Sequence, residues 1–288
     1  MVSSQTALQD FLSDLQNANR SPQTLRAYRS DLQAFLSDCP DEITQINISH
    51  LRRFFAHHDL LKPATRARKQ SAVARFFQWA SRYQLILSNP MLLIERIVVD
   101  TSPSLPPHRG SIEAIFKRIP DHCLRDRVLF RLIFETGLRV SEALSLYIED
   151  LDLSCDDEHM TVIGKGQIKR TLLLDDRRLV ALLKRYLRHC DYHQGPVFRA
   201  QKNYQGGALR YQSAQALWEK YCRQAGMVCT LHQLRHAHAT ELVNNGVSLA
   251  TIRKRLGHKH LQSTLRYTHL SDKVADAEIR AWRRKVRS

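Results

Sequence analysis

Three prolines occur within five residues about one third of the way along the chain, at Pro103, Pro106 and Pro107. Proline has a fixed φ angle and no backbone N–H, and it restricts the residue before it to extended conformations. Neither a helix nor a central strand can run through this stretch, which is typical of an extended spacer. A length of 288 residues also suits two domains. We expect an N-terminal domain at 1–97, a linker at 98–110 and a C-terminal domain at 111–288.

The chain has a large excess of basic residues, with 44 Lys and Arg against 28 Asp and Glu and a formal net charge of +16. Basic side chains that neutralise phosphates release condensed counterions, so this excess favours a nucleic-acid partner. No apolar stretch is long enough to span a bilayer, and the N-terminus lacks the pattern of a signal peptide. The six cysteines are scattered, as is typical of reduced thiols. We expect a cytoplasmic protein, nucleoid-associated in a bacterial host, with no membrane partner.

Two helix starts are visible in the N-terminal part. Ser21-Pro22 combines an N-cap residue with a proline at the first helical position, and apolar residues then recur at helical spacing. Lys62-Pro63 begins a second pattern of the same kind. We therefore expect this domain to be helical.

The second of these helices lies in a basic segment, because residues 52–82 contain eight basic side chains and one acid. Charge alone leaves two interpretations open, a solvated helix face and contact with the DNA backbone. On the second interpretation the predicted DNA-binding residues are Arg52, Arg53, Arg66, Arg68, Lys69 and Arg75.

The C-terminal part predicts helices around one short sheet. The β-prone runs 160–163 and 168–174 flank Gly164-Lys165-Gly166-Gln167, which indicates a hairpin with Lys165 at its tip. Helical patterns resume near Asp175 and continue toward the end of the chain.

Four short segments of this part contain candidate functional residues. In Thr-Gly-Leu-Arg-Val-Ser-Glu a glycine ends one helix and another helix begins, so that Arg139 can be held rigidly between two helix ends. His232 and Arg235 are three apart, so on a helix both could reach one phosphate. Taken singly, each residue also fits an ordinary surface or turn position. The full set is Arg139, Lys165 in Gly-Lys-Gly, His232 and Arg235 in His-x-x-Arg-His, His258 in Leu-Gly-His, and Tyr267 in Tyr-Thr-His.

A zinc site is the alternative for one of these segments, because two cysteines and three histidines lie close together in sequence. The spacing Cys-x6-Cys-x2-His matches no standard zinc finger, and apolar residues at core spacing lie among them. We therefore expect no metal here and interpret His236 and His238 as packing residues. The five residues are Cys222, Cys229, His232, His236 and His238.

The six candidate residues, in their order and spacing, resemble the active-site set of the tyrosine recombinase (phage integrase) family. Residues 21–28 and 88–90 are similar to stretches of that family's N-terminal core-binding domain. One local departure is His238, where relatives carry a large apolar or aromatic residue. The resemblance implies a mainly α fold, with an N-terminal helical core-binding domain and a C-terminal α+β catalytic domain that has a small antiparallel sheet.

The resemblance also implies a site-specific DNA recombinase that cleaves and rejoins strands through a covalent 3′-phosphotyrosine intermediate. A phosphodiester repels a nucleophile, and its transition state places further charge on the nonbridging oxygens, so fixed positive donors are needed. Arg139 and Arg235 match the family's paired guanidinium donors, and His258 matches a further donor to a nonbridging oxygen.

Tyr267 matches the nucleophile. A phenol keeps its proton at neutral pH, so it needs a base, and His232 is the candidate. Lys165 matches the lysine that protonates the departing 5′ oxygen. No metal or other cofactor is expected, because the acids near residues 150–158 form one local cluster rather than the converging set of a two-metal nuclease.

The implied partners are a double-stranded recombination site and three further copies of the chain in a synaptic homotetramer, with a paralogous recombinase or accessory protein as an addition. An apolar stripe in the tail suits either packing on its own domain or, as in the family, a C-terminal helix exchanged between protomers. The stripe consists of Val274, Ala277, Ala281 and Trp282.

Two other functions stay open at this stage. A type IB topoisomerase uses similar chemistry to relax DNA, and a DNA-binding regulator could carry an idle site. Because the stretch before Ser21 is short, we expect no arm-binding domain and favour a Xer-like, resolvase-like or invertase-like recombinase. The sequence leaves the target site, the directionality, the host and the choice among chromosome dimer resolution, plasmid or transposon resolution and integration open.

Overall fold

The computed structural model describes residues 2–99, 106–164, 168–190, 192–200 and 207–257. The chain divides into two compact units, Met1–Ser102 and Pro103–Ser288. Three predicted site residues, Lys165, His258 and Tyr267, lie outside the described residues, as does the tail that carries the apolar stripe.

The N-terminal unit is helical, as predicted. Ser21 Oγ accepts a hydrogen bond from Thr24 N at 3.2 Å and caps the second helix, whose first residue is Pro22. The helix predicted after Lys62 begins at Pro63. The four helices are α1 (Ser4–Asn17), α2 (Pro22–Leu36), α3 (Ile48–His57) and α4 (Pro63–Arg82).

The core of this unit is built on aromatic rings from three helices. Phe11 of α1 is fully buried, and its ring centroid lies 5.6 Å from those of Tyr28, Phe76 and Trp79. All three pairs are edge-to-face, the arrangement that ring quadrupoles favour. Asp14 accepts a hydrogen bond from Trp79 Nε1 at 2.8 Å, which satisfies the indole where it meets solvent.

The C-terminal unit surrounds one small sheet with helices, as the sequence predicts. The predicted runs form two antiparallel strands, with Thr161 opposite Thr171, and a two-residue strand that was not predicted adds to the first. The first predicted strand is therefore the central strand of a three-stranded sheet. The elements are α5 (Arg109–Phe116), α6 (Leu124–Thr136), α7 (Val140–Leu144), β1 (Leu151–Asp152), β2 (His159–Ile163), β3 (Lys169–Leu173), α8 (Arg177–His189), α9 (Tyr211–Gln224), α10 (Leu231–Asn244) and α11 (Leu249–Leu256).

Helix α6 passes through the centre of this unit and is buried on several faces. Phe130 of α6 packs its ring against Trp218 of α9, at a centroid distance of 5.0 Å. Near the start of α6 the buried Asp126 accepts hydrogen bonds from Tyr221 Oη at 2.8 Å and from Arg125. Because α6 is fixed on several sides, its C-terminal end is a rigid place for functional side chains. Of the helices in the described ranges, none is long and apolar enough to cross a membrane.

Replacing Phe11 by alanine is expected to lower the free energy of unfolding of the N-terminal unit by about 3–5 kcal/mol, because a large cavity replaces a fully buried ring. Urea denaturation followed by far-UV circular dichroism measures this change. Leu60→Ala is the matched control, since Leu60 is fully exposed, and its effect should stay within about 0.5 kcal/mol. Equal losses in the two variants would contradict the assignment of Phe11 to the core.

Candidate active site

The site is built on the junction between α6 and α7. Gly137 ends α6 with a φ of +67°, and an added Cβ would lie 2.6 Å from Leu256 Cδ2 and 2.7 Å from His238 Cδ2. Only glycine fits both this backbone angle and this close approach. Arg139 then precedes the first residue of α7, and its backbone N–H donates to Glu142 Oε2 at 2.9 Å. Glu142 thereby fixes the start of α7.

The Glu142 carboxylate is shared by three arginines. Arg139 Nη1 donates to Oε1 at 2.8 Å, and Arg170 of β3 donates from both terminal nitrogens, at 3.1 and 3.0 Å. Arg235 Nη1 of α10 lies 3.8 Å from Oε2. The Glu142 side chain is only 5% exposed, whereas that of Arg139 is 36% exposed. Two predicted site residues, Arg139 and Arg235, thus meet at one buried carboxylate.

Charge pairing keeps Glu142 ionised despite its burial. Burial raises the pKa of the carboxyl. Hydrogen bonds from Arg170 and from the Arg139 backbone, together with the positive charges of both guanidinium groups, lower the pKa by more than burial raises it. The net result is a pKa below the ordinary value of 4.5. An ionised Glu142 offsets one of three neighbouring positive charges, which leaves a local positive excess that suits an anion.

Arg235 ties the junction to the end of α11. Its side chain is 2% exposed, and it donates from Nη1 to Gly137 O at 2.7 Å and from Nη2 to Leu256 O at 2.8 Å. Both acceptors are carbonyls at helix ends, where intrahelical partners are missing. Arg235 therefore holds together the segment that leads to Arg139 and the segment that leads to His258.

His232 lies one turn before Arg235, in a different environment. Thr230 caps α10 by accepting from Gln233 N at 3.3 Å, and His232 follows as an exposed residue of the first turn. Its ring stands edge-on to that of His236, with centroids 4.4 Å apart. The predicted pair on α10 thus consists of an exposed imidazole and a buried guanidinium, one turn apart.

The cysteines and histidines considered as zinc ligands have other partners. His238 is buried and accepts a hydrogen bond from Arg255 Nε at 3.3 Å. Burial lowers its pKa to about 3, and the charge of Arg255 lowers it as well, so the imidazole is neutral. Cys222 Sγ lies 3.4 Å from the carbonyl oxygen of Cys229. In the described part of the chain, no three His, Cys, Asp or Glu side chains are placed to hold a metal ion.

Several of the predicted DNA-binding residues have partners within the N-terminal unit. Arg68 and Lys69 both pair with Asp31, whose side chain is buried. Arg66 pairs with Asp59 at 2.5 Å. These guanidinium and ammonium groups are held in place by the fold, and part of their charge is offset.

The other three predicted DNA-binding residues differ among themselves. Arg53 donates to the carbonyl oxygen of Asp38 at 2.6 Å. Arg52 and Arg75 are exposed and have no hydrogen bond or ion pair to any residue that the structure describes. Their charges are the least compensated of the six.

The structure places the residues that lead to Lys165 and His258. Gly164 N donates to Ile168 O at 2.8 Å, which closes the end of the β2–β3 ladder directly before Lys165. Gly257 ends α11 with a φ of +65° directly before His258. Both glycines lie beside the side chain of Arg170.

Two residues of the site, Glu142 and Arg170, were not assigned a role from the sequence. The signal for Glu142 is its position three residues after Arg139 at a helix start, the spacing of a capping box. The signal for Arg170 is its position on the same strand face as the buried Leu172. A charged residue on an inward face needs a partner of opposite charge.

Comparisons with known proteins match both units of the chain to the same family. Residues 109–274 match the phage integrase family, and residues 8–84 match the phage integrase N-terminal SAM-like domain. Tyrosine recombinase XerC of Xanthomonas campestris pv. campestris (strain B100) is 30% identical over 299 aligned positions, which cover 98% of this chain and 91% of that protein. Tyrosine recombinase XerD of Lacticaseibacillus casei is 32% identical over 267 aligned positions, which cover 85% of this chain and 87% of that protein.

Solved structures share the fold. The XerH site-specific recombinase in a post-cleavage complex with palindromic difH has a TM-score of 0.73 at 23% identity, covering 98% of this chain and 85% of that one. A lambda integrase (75–356) dimer on a COC′ core site has a TM-score of 0.76 at 17% identity, covering 91% and 94%. A lambda integrase tetramer on a Holliday junction has a TM-score of 0.75 at 17% identity, covering 90% and 78%.

Fold, arginine cluster and relatives together define a class of protein, the tyrosine recombinases, which are enzymes of site-specific DNA recombination. The chain belongs to the phage integrase family. The fold class and the function predicted from the sequence are confirmed.

Replacing Glu142 by glutamine is expected to destabilise the protein by about 3–5 kcal/mol at pH 7, because it removes the carboxylate that pairs with this cluster of guanidinium groups. Since the folded-state pKa of Glu142 is lowered, the wild-type advantage is complete above the ordinary pKa of 4.5 and shrinks as the pH falls through the folded-state pKa. Chemical denaturation between pH 7 and pH 3 measures this difference. Glu219→Gln, at an exposed position of α9, is the control. A Glu142→Gln effect independent of pH would contradict the assignment of an ionised Glu142.

Proposed function

We propose that this recombinase cleaves a DNA strand with the phenol of Tyr267 while Arg139 and Arg235 bind the scissile phosphate. Tyr267 Oη forms a bond to phosphorus as the bond from phosphorus to the 5′ oxygen breaks. His232 accepts the phenolic proton, and Lys165 donates a proton to the departing oxygen. The products are a 3′-phosphotyrosine and a free 5′ hydroxyl. A 5′ hydroxyl from another strand then attacks the phosphotyrosine in the reverse reaction, which joins the new strand and restores the enzyme.

The shared carboxylate of Glu142 is the observation that carries this proposal. One carboxylate offsets one of three guanidinium charges, so the cluster keeps a positive excess next to the partly exposed Arg139. Fixed donors of this kind stabilise charge that develops on nonbridging phosphate oxygens, without reorganisation during the reaction. Arginine suits the task because its planar fork can bind two oxygens at once. His258, the residue after Gly257 in the sequence, is the proposed additional donor.

The proposed substrate is a double-stranded recombination site that both units contact. In the N-terminal unit the exposed side chains of Arg52 and Arg75 are the strongest candidates for the phosphate backbone, because no partner in the described part of the chain offsets their charge. The proposed assembly is a synaptic homotetramer, supported by the structural likeness to the lambda integrase tetramer, with a paralogous or accessory protein as a further partner. The proposed place of action is the cytoplasm of a bacterial host, where DNA is accessible, and the enzyme is associated with the nucleoid when bound to its site.

Tyr267→Phe is expected to abolish the covalent protein–DNA adduct while duplex binding stays within about twofold of wild type, because only the nucleophilic oxygen is lost. The measurement is denaturing gel electrophoresis of adducts on end-labelled DNA taken from beside the gene. Tyr211→Phe, which removes the hydroxyl of an exposed tyrosine of α9, is the matched control and should form adducts like wild type.

Adduct formation that persists in Tyr267→Phe would overturn the assignment of the nucleophile. Sequencing of the products separates the related activities. DNA molecules that join two sites indicate recombination, whereas relaxed circles without site preference indicate a topoisomerase.

Arg52→Ala and Arg75→Ala are each expected to weaken duplex binding and to reduce the slope of log K against log salt by about 0.9, the loss of one phosphate contact. Fluorescence anisotropy over a salt series measures both quantities. Arg66→Ala should change the slope less, because Asp59 already offsets the Arg66 charge. Equal slopes for all three variants and the wild type would remove these arginines from the proposed interface.

A further inference from the structure

Arg170 is the one arginine of the Glu142 cluster to which the proposed chemistry gives no role. It lies on β3 opposite Val162 and on the same strand face as the buried Leu172. Its side chain is 14% exposed, and both terminal nitrogens donate to Glu142, which fixes the plane and position of the guanidinium. A bidentate pair of this kind determines orientation as well as distance.

The fixed guanidinium lies against two glycines. A Cβ added to Gly257 would lie 2.9 Å from Arg170 Nη1, 3.0 Å from Cζ and 3.2 Å from Nε. A Cβ added to Gly164 would lie 3.1 Å from Arg170 Nη1. As long as Arg170 keeps its place, a side chain at position 257 would collide with the guanidinium, and one at position 164 would fit only tightly.

A third feature distinguishes Arg170 from an arginine that only neutralises Glu142. Its Nε is buried and has no hydrogen-bond partner among the residues that the structure describes. This nitrogen is one of the three atoms close to the Gly257 position. Buried donors without partners are rare in native proteins, and each needs an explanation. Close approach of the guanidinium to the end of α11 is the explanation that the geometry offers.

We propose that Arg170 is a positioning residue for strand cleavage. Held by Glu142, its guanidinium fixes Gly164 and Gly257, and the next residues along the chain from these glycines are Lys165 and His258. One side chain thus constrains the two residues that directly precede these proposed catalytic groups in the sequence. This inference rests on the proposed function, because Lys165 and His258 have their roles there.

The first test replaces Arg170 by lysine, which keeps the charge and loses the planar bidentate contact. The rate constant of adduct formation on labelled duplex should fall about tenfold or more, as it does for residues that orient reacting groups. Duplex affinity should stay within about twofold, because the net charge is unchanged. Lys169→Gln, at the exposed neighbouring position of β3, is the control and should cleave like wild type. Wild-type cleavage by Arg170→Lys would overturn the inference.

The second test keeps Arg170 and changes Gly257, the residue that the guanidinium contacts. Gly257→Ala places a methyl group against the guanidinium, whereas Gly226→Ala has the same kind of positive φ, +66° against +65°, with nothing within 4 Å. The two variants share the positive φ, but position 257 both contacts Arg170 and directly precedes the proposed donor His258. Gly257→Ala should cleave about tenfold more slowly than Gly226→Ala, and the double variant described next assigns this loss to the contact. Equal rates would overturn the inference, also where Arg170→Lys does not fold.

The double variant Arg170→Lys/Gly257→Ala tests whether both changes act through one contact. The rate constant should fall no further than in the slower single variant, because the lysine has already lost the geometry that the methyl group disturbs. Losses that multiply would show independent effects and would overturn the inference.

A readout without catalysis separates this inference from the proposed function. If the wild type forms no covalent adduct, the proposed function fails, and hydrogen exchange of the free protein decides on Arg170. The backbone amides of two peptides, one containing Gly164 and one containing Gly257, should exchange several-fold faster in Arg170→Lys than in wild type or Lys169→Gln. Equal exchange in the three proteins would overturn the positioning role.

Discussion

The catalytic unit depends on one buried carboxylate shared by guanidinium groups from three elements. Arg139 lies at the junction before α7, Arg170 on β3 and Arg235 on α10. The Glu142 side chain is 5% exposed and stays ionised because these partners surround it. Removing an ion from water costs several kcal/mol, which close pairing and hydrogen bonds must offset. The cluster therefore specifies how strand, junction and helix pack. Arg235 extends it by holding Gly137 and Leu256 through their carbonyl oxygens.

The same cluster explains how a phosphate can be bound without dismantling the fold. Arg139 is the least buried of the three arginines, and only one of its terminal nitrogens donates to Glu142. A phosphate can approach this guanidinium while Arg170 and Arg235 keep their contacts. The three arginines carry more positive charge than Glu142 offsets, so a negatively charged phosphate reduces the repulsion among them. In the proposed reaction Arg139 and Arg235 bind the phosphate, whereas Arg170 has only a supporting role.

Local sequence patterns were sufficient to predict the helices and strands, but not the ion pairs that join residues of different elements. The N-cap at Ser21 and the β-prone runs around the hairpin predicted α2, β2 and β3, because capping and strand propensity act over a few residues. The partners of Glu142 and Asp31 come from positions 28 and 37 residues away, and no periodicity encodes such contacts. For this reason a run of basic residues in α4 predicted a charged surface, while Asp31 in fact offsets part of it.

The site residues of the C-terminal unit are of two kinds, those on helices, strands and junctions and those that directly follow a glycine. The guanidinium groups belong to a strand, a helix and a helix junction, whereas Lys165 and His258 follow directly after Gly164 and Gly257. A group at the end of a segment is placed only as accurately as the residue before it, and a glycine alone constrains its neighbour little. In the proposed positioning role, the close approach of Arg170 supplies this constraint, because a fixed guanidinium limits where each glycine can lie. In the proposed reaction, binding of the phosphate by Arg139 and placement of Lys165 and His258 therefore depend on the same Glu142 carboxylate, the first directly and the second through Arg170.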